Sequence, residues 1–230
     1  MQERYSRNAK TLSADEQSIL SASAVCIAGL GGLGGSVAEM LARTGIGSLI
    51  LVDGDVFETS NLNRQLLCTE DVLGQSKAAV AKNRIHLVNS SVRVKAIDTF
   101  LTPENAPDFL KGADLIVDCL DSIPARFELE NAARAMAVPL VSGAVAGTCG
   151  QVTTIFPEDM GLKLVYGPAD TIPPHGAEAT LGTLSFSALL VAAIQASEAV
   201  KVLLGRGEPL RNSLVIIDLM SGDFQTVSLL

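Results

Sequence analysis

The stretch Val25-Cys-Ile-Ala-Gly29-Leu-Gly-Gly-Leu-Gly34-Gly35 constrains the fold of this chain more than any other. An apolar run suited to a buried strand ends in Gly29-x-Gly31-x-x-Gly34, and a helical pattern (Val37, Met40, Leu41) follows it. Strand, glycine turn and helix in that order bring bare backbone N–H groups and the positive end of a helix up against phosphate. The next β pattern, Ser48-Leu-Ile-Leu-Val52, closes in Asp53, about 20 residues past Gly34. A nucleotide-binding α/β fold places there the carboxylate that holds ribose hydroxyls. These features predict a nucleotide site without choosing the nucleotide.

Taken in order, the chain predicts an N-terminal helical arm over 1–23, with a capping box at Ser13-x-x-Glu16. A nucleotide-binding core over 24–147 alternates strand and helix. It has an irregular connection over 54–69, a helix over 70–89, a strand at Val92–Thr99, a short helix at Pro103–Lys111, a strand from Asp114, a helix over 125–137 and a strand at Pro139–Val145. From 148 to 230 the pattern changes. Strands are expected at Gln151–Pro157 and Leu162–Tyr166, a proline- and glycine-rich crossover loop over 167–180, and a long helix over 182–204. A hairpin around Ser221-Gly222-Asp223 ends the chain. The expected fold class is a single α/β domain: a Rossmann-like, mostly parallel sheet with helices on both faces, extended by C-terminal antiparallel strands.

Composition narrows the function. With 17 basic and 25 acidic residues the formal charge is −8, and no lysine/arginine block stands out, which argues against a nucleic-acid groove. The first residues are polar and lack the apolar core of a signal peptide. The apolar stretch Leu184–Leu204 carries Gln195, Glu198 and Lys201, which marks a buried helix rather than a membrane span. Cys26, Cys68, Cys119 and Cys149 are too far apart for metal-ligand spacing. A cytoplasmic protein is expected.

Asp53, Arg64, Lys77 and Asp121 fall at or near the expected ligand edge. Two cations and a carboxylate able to hold magnesium are what a bound triphosphate needs. A nicotinamide-dependent oxidoreductase, which has no use for Arg64, Lys77 and Asp121 together, and a non-catalytic nucleotide-binding module are the rival readings. The larger pattern is more specific. Arg4-Tyr-Ser-Arg7-Asn8, Gly29-Leu-Gly-Gly-Leu-Gly34, Asp53-Gly-Asp55, Ser60-Asn-Leu-Asn-Arg64-Gln65 and Gly74-Gln-Ser-Lys77 occur in register. They are followed by Asp118-Cys-Leu-Asp121 with Arg126, Pro139-Leu-Val-Ser-Gly143, Gly150-Gln151 and Glu198-Ala-Val-Lys201. Together they resemble the ThiF/MoeB/HesA adenylyltransferases, bacterial relatives of ubiquitin-activating enzymes, from about residue 4 to the end.

The resemblance implies that Gly29, Gly31, Gly32 and Gly34 form the phosphate turn, that Asp53 holds the ribose and that Asp55 belongs to the same ATP site. Asn61, Arg64 and Gln65 would bracket the phosphates, Lys77 would contact them, and Asp121 would coordinate Mg2+. Arg7 matches an arginine that reaches the neighbouring active site of a homodimer. The implied reaction adenylates the C-terminal glycine of a small ubiquitin-like (ThiS/MoaD-like) sulfur carrier, with thiamine and molybdopterin biosynthesis as the family's settings. Some relatives act instead on a peptide or small-molecule carboxylate. The family's zinc-binding Cys-x-x-Cys pairs are missing near positions 165 and 220, so no zinc is expected. The crossover segment 157–180 lacks cysteine, so adenylation without a thioester is expected.

Overall fold

A computed structural model describes residues 3–168 and 176–230. Eight strands form one sheet: β1 (Ala24–Ala28), β2 (Ser48–Val52), β3 (Arg93–Ile97), β4 (Leu115–Asp118), β5 (Leu140–Ala146), β6 (Cys149–Ile155), β7 (Ser213–Asp218) and β8 (Asp223–Ser228). Their order is β3-β2-β1-β4-β5-β6-β7-β8. The first five pair in parallel and the last three antiparallel, as expected. The helices are α1 (Ala14–Ala22), α2 (Gly34–Thr44), α3 (Lys77–Val88), α4 (Ala106–Leu110), α5 (Ile123–Ala135), α6 (Lys163–Tyr166), α7 (Glu178–Leu181) and α8 (Ser185–Leu204).

The central strands alternate between two cores. Val25, Ile27, Leu49, Leu51, Leu115 and Val117 share one core with α2 and α8, while Cys26, Ala28, Ile50, Val52 and Ile116 share the other with α4 and α5. Burial on both faces makes these strands continuous apolar runs, each buried Leu or Ile contributing about 1.5–3 kcal/mol. Helix α8 is long and apolar enough to cross a membrane by length and composition. It instead buries Ala188, Val191, Ala192, Gln195 and Ala199 against the sheet and α2. The order reverses between β1 and β4, so the carboxyl ends of these strands leave a crevice there, where open α/β sheets take their ligands.

Three expectations are corrected. Leu162–Tyr166 is not a strand: Lys163–Tyr166 is the single turn α6, set between Gly161 and Gly167, both at positive φ. The helix expected over 70–89 is split. Gly74 at φ +78° separates a 3-10 turn (Glu70–Val72) from α3. The N-terminal arm is a 3-10 turn (Glu3–Tyr5) and α1, joined by non-helical chain. The Ser13–Glu16 capping box is present in both directions. Of the loop expected at 167–180, residues 169–175 lie outside the described residues, and the segment 176–181 ends in α7.

Candidate functional site

The glycine turn divides its work. Gly29 holds φ +86°, and a Cβ there would stand 2.6 Å from the Cys119 carbonyl oxygen. A Cβ at Gly34 would stand 1.8 Å from the Gly29 carbonyl oxygen. Gly34 therefore faces the strand, and what requires its bareness is the closeness of α2 to β1. Gly29, Gly31 and Gly32 open onto a cavity of about 720 Å³ at the carboxyl ends of the strands.

Nearly every chemical group singled out in the sequence meets in this cavity: Asp53, Asp55, Arg64, Gln65, Lys77 and Asp121 all line it. Asp53 directly follows β2 and clamps the turn. Its Oδ2 accepts Leu30 N–H at 2.6 Å and its Oδ1 accepts Asp55 N–H at 2.8 Å. Burial raises the Asp53 carboxyl above the usual carboxylate range, and the two backbone N–H bonds offset only part of that rise. Lys77 opens α3, whose N-cap Ser76 accepts from Ala79 N–H. Its ammonium is 3.1 Å from Asp55 Oδ2 although Lys77 is only 7% exposed.

The Ser60–Gln65 motif folds around Asn61. Its Oδ1 accepts Glu58 N–H at 3.1 Å, and its carbonyl accepts Arg64 N–H at 3.1 Å and Gln65 N–H at 3.0 Å. Asn61 is buried and does not line the cavity, so its observed task is to aim the two residues that do. Arg64 is half-buried, and its Nη1 donates to Ser60 O (2.8 Å) and Asn63 Oδ1 (3.0 Å). It makes no ion pair among the described residues, which leaves its charge directed at the cavity. Gln65 is 5% exposed and lies over Gly31, and its Oε1 has no partner. A buried acceptor without a donor is costly unless a ligand hydroxyl or amine meets it.

Asp121 is exposed and lines the same cavity, with no hydrogen bond or ion pair among the described residues. It does not cap α5, because Ser122 does. A lone carboxylate on a cavity of this kind would suit magnesium if the cavity takes a polyphosphate, since that ion is held through one or two carboxylates plus phosphate oxygens. Beneath it lies a network that motif reading quoted without assigning it a task. Asp118 is fully buried at the end of β4, and its Oδ2 accepts from Arg126 Nη1 (2.9 Å) and Ser142 Oγ (2.6 Å). Arg126 also donates to the carbonyls of Gly143 and Leu120, and Gln195 from α8 donates to Asp118 O at 2.7 Å. The available signal was Asp118 itself, a charge in an otherwise apolar strand, which requires a buried cation.

Arg7 is exposed and lies outside this cavity. Cys149, which sequence spacing left unassigned, lines the cavity and is exposed, whereas Cys26, Cys68 and Cys119 are buried. Burial pushes the Cys26 thiol up to about 12, lifts Cys68, and with Asp118 beside it raises Cys119 well above its usual value. In the folded protein at pH 8 an aromatic disulfide reagent is therefore expected to label one thiol rapidly and three only after unfolding. More than one fast thiol per chain would contradict this assignment of burial. Among the described residues no group of three His, Cys, Asp or Glu is placed to hold a metal ion.

The ThiF family model matches residues 5–229. The SAMP-activating enzyme E1 of Haloferax volcanii is 35% identical over 98% of this chain and 84% of its own length. The sulfur carrier protein adenylyltransferase of Thermus thermophilus is 36% identical over 92% of this chain and 80% of its own. The molybdopterin-synthase adenylyltransferase of Escherichia coli is 32% identical over 94% and 87%. Among solved structures, PaaA superposes with a TM-score of 0.82 at 27% identity, covering 99% of this chain and 73% of that one.

Proposed function

The chain belongs to the ThiF family, and on that premise we propose that it is an adenylyltransferase acting on the C-terminal glycine carboxylate of a small ubiquitin-like sulfur carrier. The observation that carries this reading is the convergence of Arg64, Lys77 and Asp121 on the glycine turn within one cavity. The names of the relatives support the substrate class: two are adenylyltransferases of a sulfur carrier protein or of molybdopterin synthase, and a third activates SAMP.

The chemistry suits what these residues offer. A C-terminal carboxylate is already ionised at pH 7, so no general base is needed. One carboxylate oxygen attacks the α-phosphorus of ATP, the new O–P bond forms, and the bond to the β-phosphate oxygen breaks with its electrons leaving on pyrophosphate. The products are acyl-adenylate and pyrophosphate. The protein must align two anions that repel and offset the charge that gathers on phosphate oxygens. Arg64 and Lys77 do the second, with the glycine turn receiving the phosphates, while Asp53 holds the ribose end. Mg2+ held by Asp121 would neutralise further phosphate charge. Arg7, exposed and outside its own cavity, is assigned to the partner's site in a homodimer. The reaction as proposed needs no zinc and no thioester, and takes place in the cytoplasm. A free peptide or small-molecule carboxylate as substrate is the second reading, supported by a TM-score of 0.79 at 25% identity to E. coli MccB solved with MccA-N7isoAsn.

The cheapest test separates ATP from a dinucleotide. At 100 times Kd, ATP with Mg2+ is expected to raise the melting temperature by about 5–10 °C, and NAD is expected to leave it unmoved. A shift with NAD and none with ATP would move the chain to the oxidoreductases.

A further inference from the structure

The contacts of Asp55 give it a task other than binding nucleotide. The ammonium of Lys77 is withdrawn from solvent, and its partner is Asp55 Oδ2 at 3.1 Å. The backbone fixes the same pair. Lys77 N–H donates to Asp55 O at 3.0 Å, Val56 bridges Ser76, and Phe57 N–H donates to Gln75 O at 2.9 Å. Asp55 is tied in turn to the glycine turn through Asp53, which accepts from both Asp55 N–H and Leu30 N–H. The two partners differ in exposure: the Lys77 side chain is 9% exposed and that of Asp55 54%. Water can solvate the carboxylate if the pair opens, whereas the little-exposed Lys77 lines the cavity.

We propose that Asp55 is the resting counterion of Lys77, a positioning residue that keeps the buried ammonium paired and extended in the ligand-free protein and yields it to an incoming polyphosphate. The inference rests on the polyphosphate reading of the cavity. It has a thermodynamic signature, because every anion that takes Lys77 must first break this pair. A pair with one half-exposed member weakens anion binding by about fivefold.

The test is calorimetric binding of inorganic pyrophosphate, in EDTA, to the full chain and to Asp55→Asn, Lys77→Met and the double variant. Asp55→Asn is expected to bind about fivefold tighter, and the gain is expected to vanish in the Lys77→Met background. Equal or weaker binding by Asp55→Asn overturns the proposal. So does a gain of the same size without Lys77, which would be simple relief of repulsion. Asp55→Ser repeats the measurement if the asparagine variant folds poorly, since Asp53 binds the backbone N–H at this position and not the side chain. If the unaltered protein binds no pyrophosphate, the polyphosphate reading itself falls and the inference with it. Binding without a gain overturns the inference alone.

Discussion

Arg64→Ala is expected to lower carrier-dependent ATP–pyrophosphate exchange by about 100- to 1000-fold, with little change in stability. A preorganised charge aimed at developing phosphate charge is worth that much when removed. The side chain is half-buried, but its Nη1 contacts are local, to Ser60 O and Asn63 Oδ1, and join no other element, so the fold does not depend on it. Asp121→Ala is expected to fall equally far for a separate reason, the loss of the carboxylate assigned to magnesium. Raising Mg2+ is expected to recover part of the Asp121→Ala activity and none of the Arg64→Ala activity. Exchange within threefold of the unaltered protein in either variant would remove that residue from the mechanism. Asn61→Ala is a useful comparison. It would act through the 58–65 turn, because Asn61 holds Glu58, Arg64 and Gln65 in place without reaching the cavity.

The second large effect is on stability. Asp118→Ala is expected to cost about 3–5 kcal/mol, since it strands the Arg126 guanidinium in the interior without a counterion. Natural domains hold about 5–15 kcal/mol in total, so urea denaturation would detect this readily. Burial opposes the charge on Arg126 and Asp118 beside it sustains that charge. The remaining carbonyl acceptors, Gly143 O and Leu120 O, supply hydrogen bonds but no countercharge. Ser142→Ala removes one neutral donor from the same carboxylate and is expected to cost about 1 kcal/mol. A loss below about 1 kcal/mol for Asp118→Ala would mean that the guanidinium finds water, and that the turn leading to Asp121 is not held by this pair.

The centre of the parallel half was legible because β1, β2 and β4 are buried on both faces and the glycine turn has few structural uses. Val25–Ala28 and Ser48–Val52 read as strands for that reason, and Asp53 followed from its place at a strand end. Short segments gave no such signal. Lys163–Tyr166 is four residues long, and one helical turn and a strand of that length share the same pattern; what decides is the glycine at positive φ on either side. The motifs named the right neighbourhoods but not the division of labour within them. Gly34 and Asn61 lie in recognisable patterns and yet face inward, one onto the Gly29 carbonyl and the other into its own turn. The Asp118–Ser142–Arg126–Gln195 network joins residues from β4, β5, α5 and α8, which only the assembled sheet brings together.

The central claim is that a nucleoside triphosphate lies across the glycine turn with its α-phosphorus open to a C-terminal carboxylate. It is tested most directly by exchange of labelled pyrophosphate into ATP, measured against a panel of small proteins ending in Gly-Gly. The account predicts exchange with at least one of them, strictly dependent on ATP and abolished when that protein's C-terminus is amidated. Exchange that persists with the amidated protein, or none with any carboxylate while ATP binds normally, would contradict it.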